Sequence, residues 1–193
     1  MSLVVTTQPT AEPVSVAEVR DHLNLLNTEH DPYLTSLIKA ARRNCEKFCR
    51  QTAMTTTYRA VFPYWPSDGV ICLPKPPLQS ITSVNYIDSD GNSQLLATTE
   101  YVVDADSMPG RFIRGYEKTL PIVRTAGTAA PITIVYVGGY TTADLVPEDF
   151  RHAMLMLIGH WWMVREAAAQ VRFTEVPHAV EDLLSGVWHG DYP

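Results

Sequence analysis

Val146-Pro147-Glu148-Asp149-Phe150-Arg151-His152-Ala153-Met154-Leu155-Met156-Leu157-Ile158-Gly159-His160-Trp161-Trp162-Met163-Val164-Arg165-Glu166 is the stretch on which the fold of this chain turns. Pro147 suits the first position of a helix, where the missing N–H costs nothing. Glu148 and Asp149 set negative charge against the positive end of the helix dipole. Phe150, Ala153, Met154, Leu157, Ile158, Trp161 and Val164 recur at the i, i+3, i+4, i+7 spacing of one buried face. On the opposite side, Leu155, Met156, Gly159, Trp162 and Met163 form a second apolar stripe. A helix apolar nearly all round is buried on both sides. One side is expected to hold the core through Phe150, Leu157 and Trp161. The other, formed by Leu155, Met156, Trp162 and Met163 with Arg165 beyond them, is expected to meet a neighbouring subunit.

The two helices expected before this one carry equally readable signals. Ser15 and Glu18 have the spacing of a capping box, in which hydroxyl and carboxylate each bond the other residue's backbone N–H. Val16, Val19 and Leu23 give that short helix a narrow apolar seam, and it should end near residues 24–27. A second helix is expected from Asp31-Pro32, an N-cap followed by proline. Leu34, Leu37, Ile38, Ala41, Cys45 and Phe48 form its buried face. Its outer face holds Lys39, Arg42, Arg43, Lys47 and Arg50. That basic face is either solvated and locally paired or a contact for an acidic partner or passing DNA.

From Gln51 to Gly139 the period changes from helical to alternating, with prolines and glycines between runs, which is the pattern of a β lobe. Strands are expected over 54–62, 70–73, 81–87, 93–96, 101–103, 111–113 and 131–137. Asp88-Ser89-Asp90-Gly91-Asn92 reads as a hairpin turn. It lacks the glycine position, terminal glutamate and flanking helices of a calcium loop. Ile132 to Val137 is apolar on both faces and so is placed centrally. Residues 1–14 read as an extended arm and 167–174 as a linker. A last helix is expected from Val176-Pro177, with Val180, Leu183 and Leu184 inward and Gly186 as its stop. The expected class is α+β: a bundle of about four helices, from residues 1–50 and 140–193, with an antiparallel β lobe inserted at 51–139 between the second and third helices.

Composition narrows the functional classes. The chain has 193 residues, 46% of them hydrophobic and 19% charged, with a net charge of −6. Such a balance argues against a protein that grips nucleic acid through phosphates, which takes an excess of Lys and Arg. It is compatible with a wall that DNA slides past. Three cysteines leave one unpaired in any scheme, which favours a reducing compartment. Cys45 and Cys49 lie on an apolar helix side and read as small buried hydrophobes. The N-terminus lacks the basic and apolar regions of a secretory signal. The longest candidate membrane segment, Ala153 to Val164, is far short of the roughly twenty residues a bilayer requires.

Signals for chemistry are sparse. There is no nucleophile elbow, phosphate loop, Cys-x-x-Cys or His-Glu-x-x-His. His152 and His160 are eight residues apart on the long helix, about 12 Å along its axis and roughly 80° apart around it, a poor pair for one metal. They read as packing or interface residues. Asp104 and Asp106 fall in a turn and flank no candidate base. No catalytic residue, metal site or cofactor is expected. The tail Trp188-His189-Gly190-Asp191-Tyr192-Pro193 carries two large aromatics outside any periodic element. It reads either as an interaction segment or as an unordered terminus.

The order of these segments resembles the head-tail connector proteins (adaptor, or head-completion proteins) of long-tailed bacteriophages, in the longer form with an inserted β lobe. Four stretches carry the resemblance. Pro13 to Val19 with His22-Leu23 is similar to the family's first helix, and Asp31 to Ala41 to its second. Leu73-Pro74 to Ile81, with Val84, Tyr86, Gly91, Tyr101 to Asp104 and Pro109-Gly110-Arg111, resembles the lobe. Gly138-Gly139-Tyr140, Val146-Pro147 and Ile158 to Trp162 with Arg165-Glu166 resemble the third helix and its approach.

The resemblance implies a structural virion protein without enzymatic activity or cofactor. Such proteins form a ring, dodecameric in most cases, under the portal of the capsid. The ring joins the DNA-filled head to the next neck or tail protein and extends a channel through which DNA passes without sequence recognition. The implied location is the virion neck, after assembly in the bacterial host cytoplasm, with no membrane partner. Relatives occur in prophages and gene transfer agents. Trp188, His189, Asp191 and Tyr192 are then candidates for contact with the portal or a neighbour. Two alternatives are another neck component, a stopper or tail terminator, and a small metal-binding hydrolase.

Overall fold

The computed structural model describes residues 1–166 and 178–187. Four α-helices among the described residues and two antiparallel sheets place it in the α+β class. The described residues fall into two compact units.

The helical unit comprises Thr10–Met54 and the described residues from Tyr140 onward. Helix α1 spans Val16–His22 and opens on the Ser15/Glu18 capping box, with both reciprocal bonds present. Helix α2 spans Asp31–Cys49. Asp31 is its first residue rather than its cap, and the preceding His30 makes no capping bond. The helix stops because Arg50 turns into the left-handed region at φ 56°. Helix α3 spans Glu148–Glu166, starting one residue after Pro147, whose carbonyl accepts the Arg151 N–H. Helix α4 spans His178–Ser185, with Val180 and Leu184 buried. Residues 167–174, read as a linker, and the Val176-Pro177 start of the last helix lie outside the described residues. One apolar core joins the elements: Val19 from α1, Leu34, Ile38, Ala41 and Cys45 from α2, Phe150, Met154, Leu157 and Ile158 from α3, and Leu184 from α4. Phe48, expected inside, is 39% exposed.

The β unit comprises Met1–Pro9 and Thr55–Gly139. Its larger sheet has the order β1-β2-β8-β4-β5, with β1 Ser2–Thr7, β2 Thr56–Phe62, β4 Leu78–Ile87, β5 Ser93–Leu95 and β8 Ile132–Gly138. The smaller has the order β3-β7-β6, with β3 Val70–Cys72, β6 Tyr101–Asp104 and β7 Arg111–Arg114. Strand β8 is central, as its two apolar faces require. Ile132, Ile134 and Tyr136 are fully buried along it. The 88–92 turn closes the β4–β5 hairpin: Asp88 Oδ1 accepts the N–H groups of Asp90 and Asn92, and Gly91 supplies φ 92°.

Two stretches expected elsewhere change sides. Residues 2–7, read as an arm of the helical part, form β1 and pair antiparallel with β2 from Ser2–Val61 onward. Residues 51–54, read as the start of the lobe, belong to the helical unit. There Gln51 bonds the Val187 carbonyl, the Ala53 N–H donates to Glu46 Oε1 at 3.0 Å, and Met54 bridges Tyr140.

Candidate functional site

The sequence-derived candidates are surfaces of α2 and α3, and packing decides which side chains those surfaces keep. On α3, Phe150 and Leu157 are fully buried, whereas Trp161 is half-buried against the same core. The second stripe is covered in part by the chain itself. A Cβ placed on Gly159 would lie 3.4 Å from His22 and 3.9 Å from Leu23, so the end of α1 closes over that position. The Trp162 ring makes an edge contact with His30, centroids 5.1 Å apart, and a tilted contact with Tyr33 at 6.0 Å. Leu155 and Met156 are half-buried against the core. Met163 stands out at 73% exposed. The α1–α2 segment therefore supplies much of the cover that periodicity alone assigns to a neighbour. The Arg165 side chain, and Trp188, His189, Asp191 and Tyr192, lie outside the described residues.

On α2 the basic face loses one member. Arg42 is 5% exposed and reaches inward rather than outward, against the expectation that it belongs to a contact face. Its Nε donates to Glu12 at 2.7 Å and its Nη1 to Glu46 at 3.1 Å. Burial works against its charge, but the bonds to Glu12 and the charge of Glu46 prevail and hold its pKa above the ordinary value. The partner at position 12 lies thirty residues away, too far for helical periodicity to reveal. Lys39, Arg43, Lys47 and Arg50 remain exposed.

A second inward arginine ties α3 to the segment before α1. Arg151 Nε donates to the Pro13 carbonyl at 3.1 Å, and Nη2 bonds Glu18. Glu18 thus serves both the cap and this tie. Its carboxyl lies below the ordinary range, first because of the Ser15 backbone N–H and then through the Ser15 hydroxyl and Arg151.

The outer side of α3 also carries charge, outside its apolar stripes. Glu148, Asp149 and His152 are exposed, and Asp149 and His152 line a groove with Ala179, Asp182, Leu183 and Gly186. Exposed Asp144 lies on the approach to the helix. His160 is half-buried. Among the described residues no group of three His, Cys, Asp or Glu side chains is placed to hold a metal ion, and no helix is long and apolar enough to cross a membrane.

The cysteines divide by environment. Cys45 and Cys49 are buried, and the Cys49 thiol donates to the Leu184 carbonyl at 3.6 Å. Burial, reinforced by the charges of Cys49 and Glu46, pushes the Cys45 thiol up to about 12, the behaviour of an inert packing group. Cys72 lies in an apolar groove of the β unit with Phe62, Tyr64 and Ile71.

In the β unit, Asp104 organises a turn rather than a reaction. Its carboxylate accepts from Ser107 Oγ at 2.7 Å, from Arg111 Nη2 at 2.6 Å and Nε at 3.0 Å, and from the Ser107 N–H at 3.0 Å. Those bonds, the Ser107 hydroxyl first, lower its pKa to about 2. No general base faces it within this network.

A family model described as head completion protein matches residues 12–173. No curated protein sequence matches the chain. Among solved structures it is similar to a chain from the neck of an empty gene transfer agent particle computed with C6 symmetry, at TM-score 0.80 and 20% identity. It is similar to a chain from the virion of the native gene transfer agent particle, at 0.80 and 21%. A third resembles it from the native particle's neck computed with C12 symmetry, at 0.77 and 22%. Each alignment covers 100% of this chain and 98% of the other. At these identities the likeness is one of fold.

Proposed function

Because this chain belongs to the head completion protein family, whose members are structural virion proteins rather than enzymes, we propose that it forms a ring beneath the portal. The ring joins the DNA-filled head to the next neck or tail protein and extends the channel through which DNA passes. The observation that carries this reading is the family match over 12–173. The C12 symmetry of the neck holding one structural neighbour supports a twelve-fold ring. On this reading the protein acts in the virion neck and is assembled in the host cytoplasm. Strands β2 to β8 are an insertion into a helical connector core, lying in sequence between α2 and α3.

Each face then has a task. The outer side of α3, with Met163 as its exposed apolar side chain, packs against a neighbouring subunit. Lys39, Arg43, Lys47 and Arg50 form an electrostatic contact face. Trp188, His189, Asp191 and Tyr192 reach the portal or a neighbour. DNA is not gripped, in keeping with the net charge of −6.

Deletion of the gene tests the reading. Packaged heads should accumulate beside free tails, and supplying the protein in trans should restore joined particles. Normal numbers of tailed particles without the gene would overturn the proposal.

A further inference from the structure

We propose that the basic row of α2 docks against the acidic outer side of α3 and α4 of a second copy of this chain, so that the ring closes through a charge-complementary, head-to-tail contact. The inference rests on the ring reading and names the surfaces and partner that reading requires.

Lys39, Arg43 and Lys47 occupy i, i+4 and i+8, one row about 12 Å long, and Arg50 follows just past the helix end. All four are exposed, and the first three make no ion pair among the described residues. Glu46, on the same helix, accepts from Arg42 and from the Ala53 N–H. Lys39, Arg43 and Lys47 thus carry positive charge without an ion-pair partner among the described residues, in a chain whose net charge is −6.

The complementary surface belongs to the same helical unit. Asp144, Glu148, Asp149 and Asp182 are exposed and likewise make no ion pair among the described residues. Asp149 and Asp182 come together in the α3–α4 groove.

Helix dipoles account for part of this pattern, favouring acids in the first turn of α3 and cations in the last turn of α2. They do not account for mid-helix Lys39, for Asp182 within α4, or for Asp144 before α3. The dipole effect is confined to terminal turns.

Geometry then excludes pairing within one chain. The basic row lies opposite the face of α2 that buries Leu37, Ala41 and Cys45; on α3, Glu148 lies roughly opposite Phe150 and Asp149 sits at the edge of the buried face, in the groove with α4. Both buried faces enter one core, which lies between the two charged patches, and no ion pair joins them among the described residues. Two unlike patches on one unit are what a heterologous interface requires, and such an interface closes into a ring when its rotation permits. Met163, about 21 Å further along the same helix, is exposed and leaves an apolar contact at the far end of that side.

Charge reversal tests the contact on the full chain, with the portal ring present and assembly followed by mass photometry and negative-stain imaging. One variant carries Lys39→Glu, Arg43→Glu and Lys47→Glu; the other carries Glu148→Lys, Asp149→Lys and Asp182→Lys. Each alone should fail to form rings, while an equimolar mixture should recover them, because each variant then presents to the other the charge it needs. Recovery in the mixture also shows that both variants are folded. Wild-type association should weaken by at least about tenfold from roughly 50 to 500 mM salt, as screening of exposed charge demands.

Rings formed by both variants alone would overturn this contact while leaving the ring reading intact. So would failure of the mixture, or a basic-row variant whose only loss is binding to duplex DNA. A wild-type chain that forms no ring with portal present would overturn the ring reading itself.

Discussion

Phe150, Leu157 and Ile158 on α3 and Phe112, Ile134 and Tyr136 in the β unit are all fully excluded from water, yet the two sets are held by different means. In the helical unit, residues three and four apart share a face, so one helix brings a whole side of the core with it. In the β unit the partners come from distant positions: Tyr58 stacks on Tyr136 at 5.4 Å, Trp65 on Phe112 at 5.7 Å, and the Tyr136 hydroxyl donates to the Pro74 carbonyl at 2.6 Å. The polar bookkeeping differs as well. The helical unit buries a charge, Arg42, and neutralises it with two carboxylates. The β unit meets its buried hydroxyl with a backbone carbonyl and keeps its main charge network, around Asp104, near the surface. The helical unit presents outward the basic row of α2 and exposed Met163, on which the proposed assembly depends.

Four measurements break or sharpen this contrast. The largest effect is expected from Phe150→Ala, which should cost about 3 to 5 kcal/mol in urea unfolding because a buried aromatic leaves a cavity. Loss of α3 should disturb the Trp161 and Trp162 signal before that of Trp65, and simultaneous loss of all three would count against separate cores. Next, Arg42→Ala should cost about 2 to 3 kcal/mol by leaving Glu12 and Glu46 without their shared donor. A change below about 0.5 kcal/mol, the range of ordinary surface substitutions, would return Arg42 to the solvated face. Tyr136→Phe should cost about 1 to 2 kcal/mol, the penalty for leaving the buried Pro74 carbonyl unpaired; an unchanged midpoint would show that bond to be dispensable.

The smallest effect concerns pH. Asp104 has a depressed folded pKa, so it contributes stability above the ordinary carboxylate range and loses it as pH falls from roughly 4 towards its folded value of about 2. Asp104→Asn should flatten that acid limb, and an unaltered limb would remove Asp104 as its source.

The same contrast explains what could be read from the residues. Helix α2, the Ser15 cap and the buried face of α3 were legible because their signals are local and periodic. The central position of β8 was legible because both its faces are apolar. Strand β1 was not, since Ser2–Thr7 becomes a strand only by pairing with β2 fifty or more residues away. Trp162 shows the same limit on α3. Periodicity marked its stripe as buried, but His30 and Tyr33, which cover it, arrive through the α1–α2 turn. Arg42 was misplaced because its position around α2 sets its direction only roughly, while Glu12 settles it. The acidic outer side went unmarked because exposed acids at a helix start are ordinary, and their meaning depends on the basic row across the unit.

The central claim is that this chain is a ring subunit of the particle neck. Cryo-electron microscopy of intact particles, reconstructed without imposed symmetry at the portal vertex, tests it most directly. The account predicts a ring of about twelve copies directly beneath the portal, around the DNA channel, with α2 of each copy facing α3 and α4 of the next. Density at the vertex that cannot accommodate this fold, or that holds a single copy away from the channel, would contradict it.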